Sequence, residues 1–264
     1  DVDLGLKDKV ALVTASSKGL GAATAMEFAR EGARVAMCAR SGKLLEERAG
    51  EIRQETGVEP LVMEADLTSG EDIRRVVATT KETYGRIDTL FINAGGPPPG
   101  VFADLDEDAW QGAVELTLMS AVRLVREALP TMRAQGEGSI LACTSVSVKQ
   151  PVDGLMLSNA LRMGVTGMLK TLSNEVGPEG IRVNMILPGW TRTQRAVSLL
   201  AGRAEKAGTT PKEQETQLTA GVPLRRMGEP QEFARAAVFL SSPAAGYITG
   251  VSLLVDGGIY KGSL

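Results

Sequence analysis

Val10-Ala11-Leu12-Val13-Thr14-Ala15-Ser16-Ser17-Lys18-Gly19-Leu20-Gly21 decides how this chain folds. A continuous apolar run gives way to small polar residues and two glycines. An alanine-rich helical segment, Leu20 to Glu31, follows at once. Gly19 and Gly21 let a backbone turn tightly and come close to a ligand. The helix that opens there presents unpaired N–H groups and the positive end of its dipole, a setting suited to phosphate. Outward from this loop, apolar runs and helical segments alternate. Lys9–Ala15, Ala33–Ala39, Pro60–Ala65, Asp88–Asn93, Ser139–Thr144, Arg182–Leu187 and Ser252–Val255 read as strands. Lys43–Thr56, Ser69–Tyr84, Asp106–Met132 and Leu157–Val176 read as helical. The strands are apolar throughout rather than alternating, as strands buried on both faces are. The expected fold is therefore α/β: one domain over residues 1–264, a doubly wound parallel sheet of about seven strands with helices on both faces. Residues 194–222 are polar and carry Gly202, Gly208 and Gly221; we read them as a lid-like insertion of short helices.

Composition narrows the function. The 264 residues are 43% hydrophobic and 23% charged, with a net charge of −3. That balance favours neither nucleic acid nor an acidic membrane surface as partner. No apolar run approaches the ~20 residues of a membrane span, and Asp1–Asp8 lacks the character of a signal segment. Cys38 and Cys143 lie inside apolar runs and are expected to be buried, reduced thiols, which points to a cytoplasmic location. The absence of histidine excludes Ser-His-Asp hydrolysis and histidine metal sites, and no metal is expected.

Several stretches resemble the short-chain dehydrogenase/reductase family, in order from about Leu6 to Gly258. The loop Thr14–Gly21 is similar to the family's Thr-Gly-x-x-x-Gly-x-Gly, with Ala15 in place of the first glycine. Asn93-Ala94-Gly95 resembles its Asn-Ala-Gly signature. Ile181-Arg182-Val183-Asn184 leading to Pro188-Gly189 resembles its nicotinamide-side strand, and Val255-Asp256-Gly257-Gly258 its last strand ending. The nearest branch is the 3-oxoacyl-[acyl-carrier-protein] reductase-like proteins. The resemblance implies a Rossmann domain holding a dinucleotide on Ala15, Ser17, Lys18, Gly19, Leu20 and Gly21. It implies adenine contacts from Asp66 and Leu67, a nicotinamide ribose beside Asn93, Ala94 and Gly95, and a carboxamide near Pro188, Gly189, Thr191 and Thr193. It also implies a homotetramer, in which Gly164 and Gly167 permit close helix approach.

NAD-selective relatives carry an acidic residue at the end of strand two. Here that strand ends Cys38-Ala39-Arg40-Ser41. Arg40 can fork onto a 2′-phosphate, Ser41 can donate to it, and Lys18 supplies a second positive charge. NADP is the expected cofactor, with NAD the lesser choice.

The family's active site holds an asparagine, a serine, a tyrosine 13 positions on and a lysine 4 further. Counting from Ser145 reaches Ser158 and then Arg162, and Thr117 falls at the asparagine position. Residues 158 and 162 share one helix face. A phenol of pKa ~10 is brought toward neutrality by a neighbouring ammonium; a serine hydroxyl is far too weak an acid for the same route. Arginine stays protonated, with a pKa above ~12, so it cannot relay protons as lysine does. Lys149 and Asp153, between Ser145 and Ser158, are candidate proton partners. Arg192 and Arg195, opening the lid, are candidates for holding an acidic substrate group. Three readings stand open: an NADP-dependent oxidoreductase acting on a small carbonyl or alcohol by an altered proton route, a catalytically inactive NADP-binding sensor or assembly protein, and an enzyme of another reaction type on the same scaffold.

Overall fold

The computed structural model describes residues 3–263. Its strands are β1 (Val10–Thr14), β2 (Arg34–Ala39), β3 (Leu61–Glu64), β4 (Thr89–Ile92), β5 (Gly138–Cys143), β6 (Ile181–Pro188) and β7 (Ser252–Val255). All pair in parallel, in the order β3-β2-β1-β4-β5-β6-β7. Leu12 of β1 stands between Ala36 of β2 and Leu90 of β4. The direction of winding reverses between β1 and β4. A crevice therefore opens at their carboxyl ends, the ligand position of doubly wound sheets.

Helices cover both faces. Helices α3 (Gly70–Tyr84), α5 (Ser120–Gln135) and α6 (Met156–Val176) close one face through Ile73, Val76, Leu124, Ala128 and Leu169. Helices α1 (Gly19–Arg30), α2 (Gly42–Thr56) and α9 (Pro230–Ser241) close the other through Phe28, Leu45, Ile52, Phe233 and Ala237. Phe233 meets Phe91 of β4 edge-on, with ring centroids 6.5 Å apart. Both cysteines are buried and free. Burial pushes the Cys38 thiol up to about 12 and that of Cys143 up to about 11, so neither is a thiolate at neutral pH.

Two elements differ from the sequence reading. Helix α9 has no counterpart in it, although Pro230 at the first turn and the reciprocal Glu229–Glu232 capping box mark its start. Joining β6 to β7 in parallel requires a crossover, and a helix is its usual form. The long helical stretch expected over Asp106–Met132 is α4 (Glu107–Ala113), a π-helical turn (Val114–Met119) and α5. The π-helical turn carries Thr117; such turns recur at functional sites. Residues 194–222 fold into α7 (Gln194–Ala207) and α8 (Pro211–Thr219), capped by Thr193 and Thr210. Among the described residues no helix is long and apolar enough to cross a membrane, and no group of residues forms a metal cluster.

Candidate active site

The loop from β1 to α1 is held open by neighbours. Ser16 is tied to the Cys38 carbonyl by its backbone N–H at 3.1 Å and by its hydroxyl at 3.3 Å. The Thr14 hydroxyl donates to the Asn93 carbonyl at 2.7 Å and accepts from the Asn93 N–H at 2.9 Å. The Asn93 amide also donates to the Ala15 carbonyl at 3.3 Å. Asn93 therefore fastens the end of β4 to the glycine loop.

The two glycines do different work. Gly19 has φ +55°, the left-handed region glycine favours. A Cβ at Gly21 would lie 2.4 Å from the Ala15 carbonyl oxygen and 2.8 Å from the Asn93 amide. Gly21 therefore permits close packing of α1 on the loop. Ala15 has φ +48°, so an alanine occupies a backbone state that costs roughly 1–2 kcal/mol outside glycine.

This cradle fits a dinucleotide diphosphate. Helix α1 starts without a capping side chain, whereas α2, α3, α4 and α7 are capped by Ser41, Ser69, Asp106 and Thr193. Its first N–H groups meet no side-chain cap and are of the kind that can bind an anion. Lys18 and Arg40 are exposed, and neither pairs with a carboxylate among the described residues. Ser17, Leu20 and Ser41 line the same edge, partly buried. One oxygen of Asp66 accepts from the Thr68 N–H and hydroxyl, both at 2.9 Å, and Leu67 is buried in the core. Gly189 passes close to Asp256, since a Cβ there would sit 2.7 Å from the Asp256 Cα. Thr191 is buried, Pro188 ends β6, and the Thr193 methyl stands 3.4 Å from the Cβ position of Gly19. The N-cap of α7 thus touches the glycine loop.

At the other side of the crevice, Arg162 organises the residues singled out in the sequence. Its Nε donates to Ser158 Oγ at 3.1 Å; its Nη1 donates to the carbonyls of Cys143 at 2.9 Å and Thr144 at 3.0 Å. No carboxylate among the described residues pairs with it, and burial pulls its pKa below the ordinary arginine value. The Ser145 hydroxyl accepts from the Ser147 N–H at 3.1 Å. Both serines spend lone pairs on protein N–H groups, which leaves each O–H to donate elsewhere. Behind Arg162, Thr117 and Thr144 share with Ala94 the wall of a cavity of about 10 Å³, the size of one water. Both threonine hydroxyls are buried and unpartnered.

Asn159, absent from the sequence reading, holds the approach to α6, its amide bracketing the Val152 backbone at 3.0 and 3.3 Å. Lys149 is exposed and its ammonium stands 5.8 Å from the centre of the Tyr260 ring; the C-terminal segment folds back against this loop. Asp153 is exposed. Arg192 and Arg195 part company: Arg192 is paired with Glu215 and Glu229, whereas Arg195 is exposed and has no carboxylate partner among the described residues.

The family model described as Enoyl-(Acyl carrier protein) reductase matches residues 14–260. The L-rhamnose 1-dehydrogenase (NAD(P)(+)) of Azotobacter vinelandii is 36% identical over 266 aligned positions, covering 97% of this chain and 98% of that protein. The L-sorbose reductase of Gluconobacter frateurii, solved with NADPH and L-sorbose, superposes with a TM-score of 0.95 at 34% identity, over 99% of this chain and 100% of that one. An NADPH-bound short-chain oxidoreductase of Pseudomonas aeruginosa, described as containing an atypical catalytic center, superposes with a TM-score of 0.88 at 30% identity, over 97% and 100% of the two chains. With the glycine cradle, the switch-point crevice and these relatives in agreement, the chain belongs to the short-chain dehydrogenase/reductase family of oxidoreductases.

Proposed function

We propose that this protein is an NADPH-dependent carbonyl reductase in which Ser158 and Arg162 stand where the family has its tyrosine and lysine. The observation that carries this reading is the single guanidinium joining Ser158 to the Cys143 and Thr144 carbonyls, directly beside Ser145. NADP is the cofactor: Arg40 and Lys18 offer an unpaired positive edge to its 2′-phosphate, and the sorbose reductase that this chain resembles holds NADPH. When bound, NADPH supplies a hydride to the carbonyl carbon and leaves as NADP⁺, while the oxygen gains a proton and becomes a hydroxyl.

The chain's own contribution is to stabilise and protonate that oxygen. Ser145 and Ser158 direct their O–H groups to it, and the charge on Arg162 strengthens the Ser158 donor. A serine hydroxyl is too weak an acid to give up its proton for good, so it is replenished from water. The cavity between Thr117, Thr144 and Arg162 has the size and the polar partners for one such water. Lys149, beside Tyr260, is the second candidate proton partner. Removing a general acid typically slows a reaction ~10²–10⁴-fold, so turnover is expected to be slower than with a phenol. Helices α7 and α8 act as the lid, and exposed Met163, Phe239 and Tyr247 are apolar surface that a homo-oligomer would cover.

The test is NADPH oxidation at 340 nm over a panel of carbonyl compounds. Turnover that Ser145→Ala and Arg162→Ala each lower ~10²–10³-fold is the expected result. NADPH binding with no turnover across the panel would instead leave a nucleotide-binding protein.

A further inference from the structure

The end of β2 carries no acid, but the end of β3 brings one to it. Glu64 closes β3 level with Ala39, the last residue of β2. Its carboxylate accepts from the Gly42 N–H at 3.2 Å. A Cβ at Gly42 would stand 2.5 Å from that carboxylate oxygen. Glycine at 42 therefore gives the acid its seat, directly after Arg40 and Ser41. Asp66 and Leu67, the expected adenine contacts, follow Glu64 on the same strand end.

Helix α2 does not need this acid as its cap, because the Ser41 hydroxyl already accepts from the Leu44 N–H. The main chain of Glu64 is held separately, by Arg75 Nη2 on its carbonyl at 2.8 Å. The side chain is exposed, and the Gly42 N–H is the one donor to its carboxylate among the described residues. A carboxylate has about four acceptor sites, so most of its capacity faces solvent beside Arg40 and Ser41. An acceptor of this kind suits a hydroxyl, as the acid at the end of strand two does in NAD-selective relatives. It opposes a phosphate group, which carries about −1.5 to −2 charge at neutral pH. Arg40 and Glu64 thus select in opposite senses at one turn.

We propose that Glu64 is a second cofactor-selecting residue: it accepts the ribose 2′-hydroxyl of NAD(H), opposes the 2′-phosphate of NADP(H), and lets this protein bind both dinucleotides. NADP(H) stays the favoured one through Arg40. The inference rests on the cofactor placement given above, with Arg40 and Ser41 at the 2′ position, and is independent of the reaction.

The test measures Kd for NADPH and for NADH by nicotinamide fluorescence and calorimetry, in the unaltered protein, Glu64→Gln and Arg40→Ala. Glu64→Gln keeps a carbonyl for the Gly42 N–H and removes the charge. It is expected to tighten NADPH, weaken NADH and move the ratio of the two constants ~10-fold or more, the combined worth of a charged hydrogen bond and an exposed charge contact. Arg40→Ala should move the ratio the other way. High salt should shrink the NADPH gain, because it screens the repulsion that Glu64→Gln removes. The pair 2′,5′-ADP and 5′-AMP repeats the comparison without the nicotinamide half, and the same shift is expected. An unchanged ratio with NADPH still bound would overturn the inference and leave the NADPH reading intact. Equal loss of both dinucleotides with a lowered Tm would overturn it as well, since Glu64 would then serve only the fold of the turn. Binding of neither dinucleotide by the unaltered protein would overturn the cofactor reading and this inference together.

Discussion

Two clusters of charge at opposite ends of the sheet are built differently. At the amino ends of β1, β4 and β5, Lys9, Arg86, Asp88 and Glu137 form a closed network. Lys9 meets Asp88 at 3.3 Å and Glu137 at 2.8 Å, Arg86 binds both acids, and Asp88 also accepts from the Val10 N–H at 2.8 Å. At the carboxyl ends, Arg162 meets carbonyls and a serine and Arg195 a carbonyl, with no acid among the described residues. Carbonyls and the Ser139 hydroxyl also hold Arg182, at the amino end of β6. The first cluster is satisfied by acids of the chain and serves stability, whereas Arg162 is satisfied by dipoles alone at the crevice where perturbed charges often serve function.

The largest effect that separates the ends is expected from Arg162→Ala. It should lower kcat/KM ~10²–10³-fold, the range for loss of one donor at a developing oxyanion, while NADPH still binds. A variant of unchanged rate would dissolve the contrast. Asp88→Ala should do the reverse. It leaves the Val10 N–H unpaired and removes one of the two acids that Lys9 and Arg86 share, and is expected to cost ~1–3 kcal/mol in urea unfolding, discounted for its partly exposed partners. NADPH affinity should stay within twofold.

Ala15→Gly probes strain at the site end. It relieves a left-handed alanine but frees the unfolded chain, so a net gain of roughly 0.5–1 kcal/mol is expected, read as a higher Tm. A lower Tm would mean that the Ala15 methyl contributes packing beyond its strain.

Acid titration sharpens the comparison further. Burial pushes the Asp88 carboxyl upward, but the bonds from Arg86 and Val10 and the charge of Lys9 outweigh it and hold it below the usual range. The bond from Lys9 holds Glu137 low as well. On the surface, the bond from Arg226 brings Glu232 down to about 2. Carboxyls with depressed native pKa values stabilise the fold above their unfolded pKa, near 4, and this contribution fades as pH falls through the native value. Unfolding free energy should therefore decline below pH ~4, with a shallower decline in Asp88→Asn. An unchanged acid limb in that variant would show that the network is not the titrating element.

The sequence alone determined the sheet, because burial on both faces writes each strand as a plain apolar run and the glycine loop follows the first of them. It fixed the positions of Ser158 and Arg162, since a spacing of four on a helix is a matter of chain geometry. Helix α9 was marked in the sequence by Pro230 and the Glu229–Glu232 pair, but its place in the fold follows from the parallel join of β6 to β7. The sequence assigned Gly19 and Gly21 the same role; three-dimensional packing gave Gly21 to Asn93 and the Ala15 carbonyl. Nor did it distinguish Arg192 from Arg195, two charges three residues apart. Only the fold decided that Glu215 and Glu229 reach the first and no acid among the described residues reaches the second, because ion pairing depends on which distant segments converge. The site's chemistry therefore rests on contacts between the end of β4, the end of β5 and the start of α7, which no local stretch of chain encodes.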